Sequence, residues 1–355
     1  NAISQAGNST FQPDFAWMKS RSAATDNALY DAVRGTTKEL ISNTAASEST
    51  LTEGLTTFGT AGFTVGSDAA VNTNTSTYVA WQWKAGGAGS SNTDGSITST
   101  VSANPTAGCS ILTYTGTGVA ATIGHGLGLT PKMVIVRERS PGGDDWYVYH
   151  VGLTSASYSL FLNTAAARSG PSAAYWNSTA PTSSVFSLGT SVGVNQNTAT
   201  YVAYCFADVE GFSKFGKYTG NGSANGPMVN CGFLPAFVMV KAVSTGNGWN
   251  IVDTKRDTYN PVSAQLAANG ADAEMWKHTP TNTNVRPGKG WIDEQGTQHP
   301  GNWYIWSVQE KADHGLVEIV EESPPDSRLY WWSQNNDGTI TSTAKAVEDV
   351  NEVDE

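Results

Sequence analysis

Two stretches of this chain carry nearly the same wording. "FTVGSDAAVNTNTSTYVAW" runs from Phe63 to Trp81 and "FSLGTSVGVNQNTATYVAY" from Phe186 to Tyr204. Phe, Gly, Val-Asn, Asn-Thr, Thr and Tyr-Val-Ala recur at fixed positions without a gap. Such self-similarity means one structural unit written more than once, and any fold proposed for the chain has to be built from copies of it.

A second phrase opens each unit. Tyr114–Arg137 reads "YTGTGVAATIGHGLGLTPKMVIVR" and Tyr218–Lys241 reads "YTGNGSANGPMVNCGFLPAFVMVK". Both keep Tyr-Thr-Gly-x-Gly, a proline, and an apolar run that ends in a base. "QPDFAWMK", Gln12–Lys19, is a third copy of the run after the proline. Its Tyr-Thr-Gly-x-Gly would precede residue 1, so the first unit reads as truncated at its start. The third unit needs a closing phrase near residues 300–305, where "PGNWYIWS" stands instead. That unit is expected to be incomplete or replaced.

The runs "DFAWMK", "KMVIVR" and "AFVMVK" are short and almost continuously apolar, as strands buried on both faces are. Proline at their start removes an N–H where a strand can spare it. "TYVAW" and "TYVAYCF" have the β-branched and aromatic content of strands. The Asn/Thr phrase before them is turn chemistry. Charged residues are 14% of the chain and Gly numbers 37, a balance that favours turns and strands over helices. The expected class is all-β: repeated antiparallel β-sandwich, jelly-roll-like units plus a small α+β C-terminal module.

The expected division is 1–105 for a first unit with its linker, 106–212 for a second, 213–285 for a partial third, and 286–355 for the C-terminal module with an acidic tail. Ala85–Pro105 reads as a Gly/Ser linker plus one strand, although its Asp94-Gly95 pair also suits a hairpin. In the last module "SVQEKADHG" predicts a short helix, capped by Ser307 with Glu310 and stopped by Gly315. "GLVEIVEE", "RLYWWS" and the segment after Asn336-Asp337-Gly338 predict strands.

The formal charge of −11 disfavours nucleic acid and anionic membranes as partners. No apolar run is long enough for a membrane helix. Residue 1 is not Met and no signal peptide is seen, so the numbering is expected to start inside a longer or processed product. Three cysteines, Cys109, Cys205 and Cys231, form no CxxC pair and read as buried free thiols.

Motifs for chemistry are sparse. The five histidines lack zinc spacing, there is no GxSxG, and "YTGTG" is followed by neither Lys-Ser/Thr nor a helical pattern. Asp144-Asp145 is the best carboxylate pair, but adjacent residues point apart, whereas glycosidases need facing acids. Asp94, Asp144-Asp145 and Asp337 sit in oxygen-rich stretches that read as ordinary turns and not calcium loops. No catalytic, metal or cofactor-binding residue is assigned, and no cofactor is expected. The interaction candidates are aromatic: Trp176, Trp249, Trp303, Trp306, Trp331 and Trp332. Of the successive pair Trp331-Trp332, one ring must leave the core side of a strand.

The segments "FQPDFAWMKSRSAATDNALYDAVRG", "GFTVGSDAAVNTNTSTYVAWQWKAGG" and "FGKYTGNGSANGPMVNCGFLPAFVMVKAVSTGNGWNIVDTKRDTYNP" resemble a domain family repeated in marine and cyanobacterial phage structural proteins. That family is itself similar to concanavalin-like, laminin-G-like jelly rolls. "GWIDEQGTQHPGNWYIWSVQEKADHGLVEI" resembles a second phage module, found near the ends of tail-fibre and tail-assembly proteins. The resemblance implies a non-enzymatic virion protein, foremost a tail fibre or appendage in host attachment. Its implied partners are further copies in a homotrimer, other virion proteins and a host-surface glycan. A capsid decoration or head-fibre protein is the first alternative. A glycan-binding or polysaccharide-cleaving tail protein is the second. Whatever the role, the repeat predicts that Pro13, Pro131 and Pro235 share one environment and that Tyr78 and Tyr201 are equivalent and buried.

Overall fold

The computed structural model describes residues 2–5, 10–222, 227–257, 262 and 264–276, and strand backbones at 291–292, 298–299, 303–305, 316–321, 328–334 and 340–346. The chain divides into two compact units, one of Asn1–Ile251 with Gln265–Met275, the other of Val252–Ala264 with Trp276–Glu355.

The first repeat contains β1 (Ala2–Ser4), β2 (Phe15–Ser20), β3 (Ala28–Asp31), β4 (Gly35–Ile41), β5 (Ser49–Thr50), β6 (Leu55–Gly59), β7 (Gly62–Val65), the one-turn helix α1 (Ala69–Asn72) and β8 (Tyr78–Trp83). Its main sheet has the order β5-β4-β3-β2-β8, and a smaller sheet has the order β1-β7-β6. Every residue of β2 is buried, as its unbroken apolar run requires. Alternation along a strand sends neighbours to opposite faces. Ala16 and Met18 join Tyr30, Leu55, Phe63, Val65 and Val71 in one core, while Phe15 and Trp17 enter another.

The second repeat repeats this plan with more strands: β9 (Ser90–Asn92), β10 (Ser99–Asn104), β11 (Cys109–Thr115), β12 (Ala121–Gly124), β13 (Pro131–Ser140), β14 (Tyr147–His150), β15 (Leu160–Phe161), α2 (Ala173–Trp176), β16 (Val185–Leu188), α3 (Val192–Asn195) and β17 (Thr200–Ala207). The main sheet is β15-β14-β13-β17-β11-β10-β9, faced by β12-β16. The stretch read as a linker with one strand is instead the antiparallel pair β9–β10, which extends this sheet through β11. Asx-turn bonds at Asn92 and Asp94 set its bend.

Among the described residues the third repeat has β18 (Phe237–Val240), β19 (Asn250–Asp253), β20 (Ala264–Ala267) and β21 (Met275–Trp276), ordered β18-β19-β20-β21. Residues 214–222, which hold its Tyr-Thr-Gly-x-Gly segment, form no strand.

One central core is shared by all three repeats, and the same positions supply it each time. Phe15, Met133 and Phe237 correspond, as do Trp17, Ile135 and Met239; Leu29, Val148 and Ile251; and Leu40, Leu160 and Leu266. β13 starts at Pro131, while β2 and β18 start two residues after Pro13 and Pro235. The antiparallel all-β class therefore holds, and the described helices are three single turns.

In the second unit β22 (Trp291–Ile292) pairs with β23 (Gln298–His299). There β24 (Trp303–Ile305), β25 (Leu316–Glu321), β26 (Arg328–Gln334) and β27 (Ile340–Ala346) form an antiparallel sheet in that order. The strands expected after Gly315 are present. The helix expected over 307–315 lies outside the described residues. No described helix is long and apolar enough to cross a membrane.

Candidate functional site

The densest polar chemistry of the first unit lies in the seams between repeats. A main-chain bond repeats at each seam: Glu48 N–H donates to Arg139 O at 2.9 Å, Arg168 N–H to Val243 O at 3.0 Å, and Glu274 N–H to Arg21 O at 2.8 Å. The base that ends each of the three apolar runs then reaches a carbonyl of the adjoining repeat. Lys19 Nζ donates to Ala271 O, Arg137 Nη2 to Ala46 O, and Lys241 Nζ to Ala165 O. A third set sits beneath. Asn27 Nδ2 bonds Ala267 O, Trp146 Nε1 bonds Ile41 O, and Trp249 Nε1 bonds Phe161 O. Repeat 1 thus holds repeat 3, repeat 2 holds repeat 1, and repeat 3 holds repeat 2. The seams close a pseudo-threefold ring within one chain.

Two seams add bidentate ion pairs, Arg139 on Glu48 at 2.8 and 2.9 Å and Arg21 on Glu274 at 2.9 Å through both nitrogens. The seam of repeats 1 and 2 also buries the largest charged cluster. Arg34 is fully buried and donates to both Asp31 and Glu48, and its guanidinium also reaches the carbonyls of Leu29 and Lys38. The Tyr204 hydroxyl, 170 residues along the chain from Arg34, donates to Asp31 and accepts from Arg34. Burial raises the Tyr204 phenol well above its ordinary range, so it is no base or nucleophile near neutrality. Burial opposes ionisation of Glu48, but the Arg139 hydrogen bond and the Arg34 charge outweigh it and hold the carboxyl below its usual range. Acids, base and phenol neutralise and satisfy each other. The arrangement fastens; it presents no group to a substrate.

Burial also lowers Lys19, to about 8, against smaller opposing pulls from Asp272 and Asp26. The unfolded chain holds this proton more tightly from pH 8 up to the ordinary lysine value of 10.5, so the contribution of Lys19 to stability rises across that window. Urea unfolding of the parent and of Lys19→Met at both ends of the window should show this rise in the parent and its loss in the variant.

The two recurrent phrases turn out to be partners. In repeat 2 the Tyr-Thr-Gly-x-Gly of Tyr114–Gly118 docks on the Val-Asn-x-Asn-Thr of Val194–Thr198. Thr117 N–H donates to Asn195 Oδ1, Gly118 N–H to Asn195 O, Gly116 N–H to Ala199 O, and Thr198 N–H to Gly116 O. Tyr114 donates to Val194 O at 2.6 Å and its ring stacks on Tyr201 with centroids 5.0 Å apart. A Cβ on Gly116 would come within 2.2 Å of Gln196 O, and Gly118 has φ +73°. Both glycines are required. Sequence reasoning saw each phrase but not their pairing; the signal was that both are complete only in repeat 2.

The aromatic candidates divide. Trp176, 2% exposed, packs under Phe186 and Leu188 in the repeat 2 core, with Tyr149 edge-on to it. Trp249, 3% exposed, lies in the shared core and its indole fastens a seam. Both are interior rings and not surface platforms, because their strands and turns face the two cores. Trp303 lies on β24 opposite Glu321, and Trp331 and Trp332 lie on β26 opposite Glu318 and Val317. Trp306 lies outside the described residues. Trp176 and Trp249 lie in different cores of the first unit. Asp144 accepts from Tyr147 OH and Asp145 from Asn163 Nδ2, so both acids brace a turn. Among the described residues no cluster of three or more His, Cys, Asp or Glu could hold a metal. Cys109 and Cys205 are buried thiols, and Cys231 is half-exposed.

Residues 2–310 match a family described as Domain of unknown function (DUF7483). The chain belongs to that family. No curated protein and no solved structure matches this DUF7483 chain.

Proposed function

We propose that this DUF7483 chain is a non-enzymatic structural protein of a phage virion, a tail-fibre or appendage subunit that works as a trimer in host attachment. The observation that carries the structural role is the closed set of seams. The bases Lys19, Arg137 and Lys241 and the ion pairs of Glu48 and Glu274 join one repeat to the next. Charged side chains placed this way rigidify a scaffold, and recognition falls to the outer loops. The phage setting rests on the resemblance of the repeats and of the C-terminal module to phage structural proteins.

Labelling purified particles with an antibody to this chain, followed by cryo-EM, tests the reading. The expected result is density for the chain on a tail fibre or appendage. Its confinement to the capsid, or its absence from particles, would overturn the assignment. So would polysaccharide cleavage that disappears in Asp145→Asn.

A further inference from the structure

The three seams share one geometry but not one charge balance. The main-chain bond that recurs at each seam sets Glu48 against Arg139, Glu274 against Arg21, and Arg168 against Val243. At the first two an acid faces a base and their side chains pair. At the third a base stands in the acid's place and an apolar residue in the base's place. Among the described residues Arg168 forms no ion pair.

The other base of that seam is also without an acid. Burial lowers the proton affinity of Lys19, Arg137 and Lys241 alike. Carboxylates oppose it at two of them, Asp272 and Asp26 at Lys19, and Glu138, Asp144 and Asp145 at Arg137. At Lys241 burial acts alone. Lys241 Nζ donates instead to the carbonyls of Ala165, Ala242 and Asn247. Carbonyl dipoles do not cancel a full charge. Among the described residues the seam of repeats 2 and 3 therefore holds two cations with no carboxylate paired to either.

Arg168 is also held in place. Its guanidinium lies 4.6 Å over the Tyr158 ring, and Nη1 donates to Thr154 Oγ1 at 2.8 Å. Stacking on the ring fixes the plane of the guanidinium. The bond to Thr154 leaves the edge formed by Nε and Nη2. Through that same edge Arg21 and Arg139 bind their glutamates with two bonds each. A planar fork of this kind fits a carboxylate.

The groups around the fork are polar. Thr154 and Ser155 of repeat 2, and Ser244, Thr245 and Asn247 of the repeat 3 loop that bonds to it, are exposed. Hydroxyl and amide groups suit a ligand edged with hydroxyls of its own, whereas a protein partner needs buried apolar anchors. The formal charge of −11 repels a polyanion at long range, so short bonds have to hold it.

We propose that the seam of repeats 2 and 3 binds a carboxylated sugar. Its carboxylate takes the Nε and Nη2 edge of Arg168, and its hydroxyls meet Thr154 and the loop of residues 244–247. The choice of a sugar rests on the attachment role proposed above; the anion site itself needs no virion.

Calorimetric titration of the purified chain with trigalacturonate, an alginate trimer and sialyllactose tests it, each compared with its neutral methyl ester. At least one of them should bind, and its ester should bind about tenfold more weakly or worse, the scale of a charge-assisted bond. Arg168→Met should weaken binding as much as esterification does. Arg168→Lys keeps the charge but not the fork and should fall between. Val243→Glu is the decisive variant. It sets an acid opposite Arg168, closes the third seam as the other two are closed, and should abolish binding with unchanged circular dichroism. Failure of all these sugars to bind overturns the proposal, as does binding indifferent to esterification, to Arg168→Met or to Val243→Glu. Tighter binding of hexaglutamate than of any sugar overturns it too. A chain that binds the sugar but is missing from particles refutes the virion role alone, and a chain found on the tail that binds none of them refutes this site alone.

Discussion

The Arg34→Met chain should unfold with about 3–5 kcal/mol less free energy than the parent, the cost of breaking a buried ion pair by removing one partner. Arg34 is the hub of a closed network: it bonds Asp31, Glu48, two carbonyls and the Tyr204 hydroxyl, and its own side chain has no exposure. Methionine fills much of the volume but leaves the Asp31 carboxylate unpaired and removes one of the two cations on Glu48. Urea midpoints at neutral pH read the loss. Because the penalty lies in the stranded charge, Asp31→Asn added to Arg34→Met should restore part of the stability. If the double variant is as weak as the single one, lost packing and not charge explains the fall. Acid titration gives a second readout. The Glu48 carboxyl is held below its ordinary value of 4.5, so its stabilisation is in place above that pH and is lost as pH falls through the depressed value. Taking away Arg34 moves that loss to higher pH.

Tyr201→Ala should cost on the order of 3–5 kcal/mol, the range for truncating a large aromatic in a packed core. Tyr78→Ala, its counterpart in repeat 1, should cost only about 1–2 kcal/mol. The two hydroxyls make the same pair of backbone bonds, so the difference isolates the ring. Tyr201 is 0% exposed under Tyr114, whereas Tyr78 is half-buried, and among the described residues no strand stands on β8 where β11 covers β17. The expectation of two buried tyrosines therefore holds for Tyr201 and fails for Tyr78. Parallel urea unfolding of both variants checks it, and equal losses would show that the β8 edge is covered in solution.

Much of the local structure was legible. An unbroken apolar run after a proline predicted β2, β13 and β18, and each is a strand. The alternation that sends Trp17 and Met18 to opposite cores is a property of any extended backbone. The hairpin β9–β10 was harder, because "AGGAGSSNTDGSITSTV" has the composition of a linker and becomes a sheet edge only by pairing with β11. The tryptophan candidates show the opposite error. An indole has the same composition signal on a surface as in a core, and only the surrounding strands put Trp176 and Trp249 inside.

By itself, then, the sequence determined the repeating unit, its strands and the faces they turn to one another, because these depend on periodicities a few residues long. That the Tyr-Thr-Gly-x-Gly and Val-Asn-x-Asn-Thr phrases of repeat 2 are partners came only with the structure, because they meet across about 80 positions. Only the tertiary structure decided how three copies close on one another, since each seam joins residues far apart in the chain: Lys19 meets Ala271 across 252 positions. A base at the end of a strand calls for carbonyls, and nothing in its neighbouring residues says whose. That choice is made by the shared core, where Phe15, Met133 and Phe237 of the three repeats pack together.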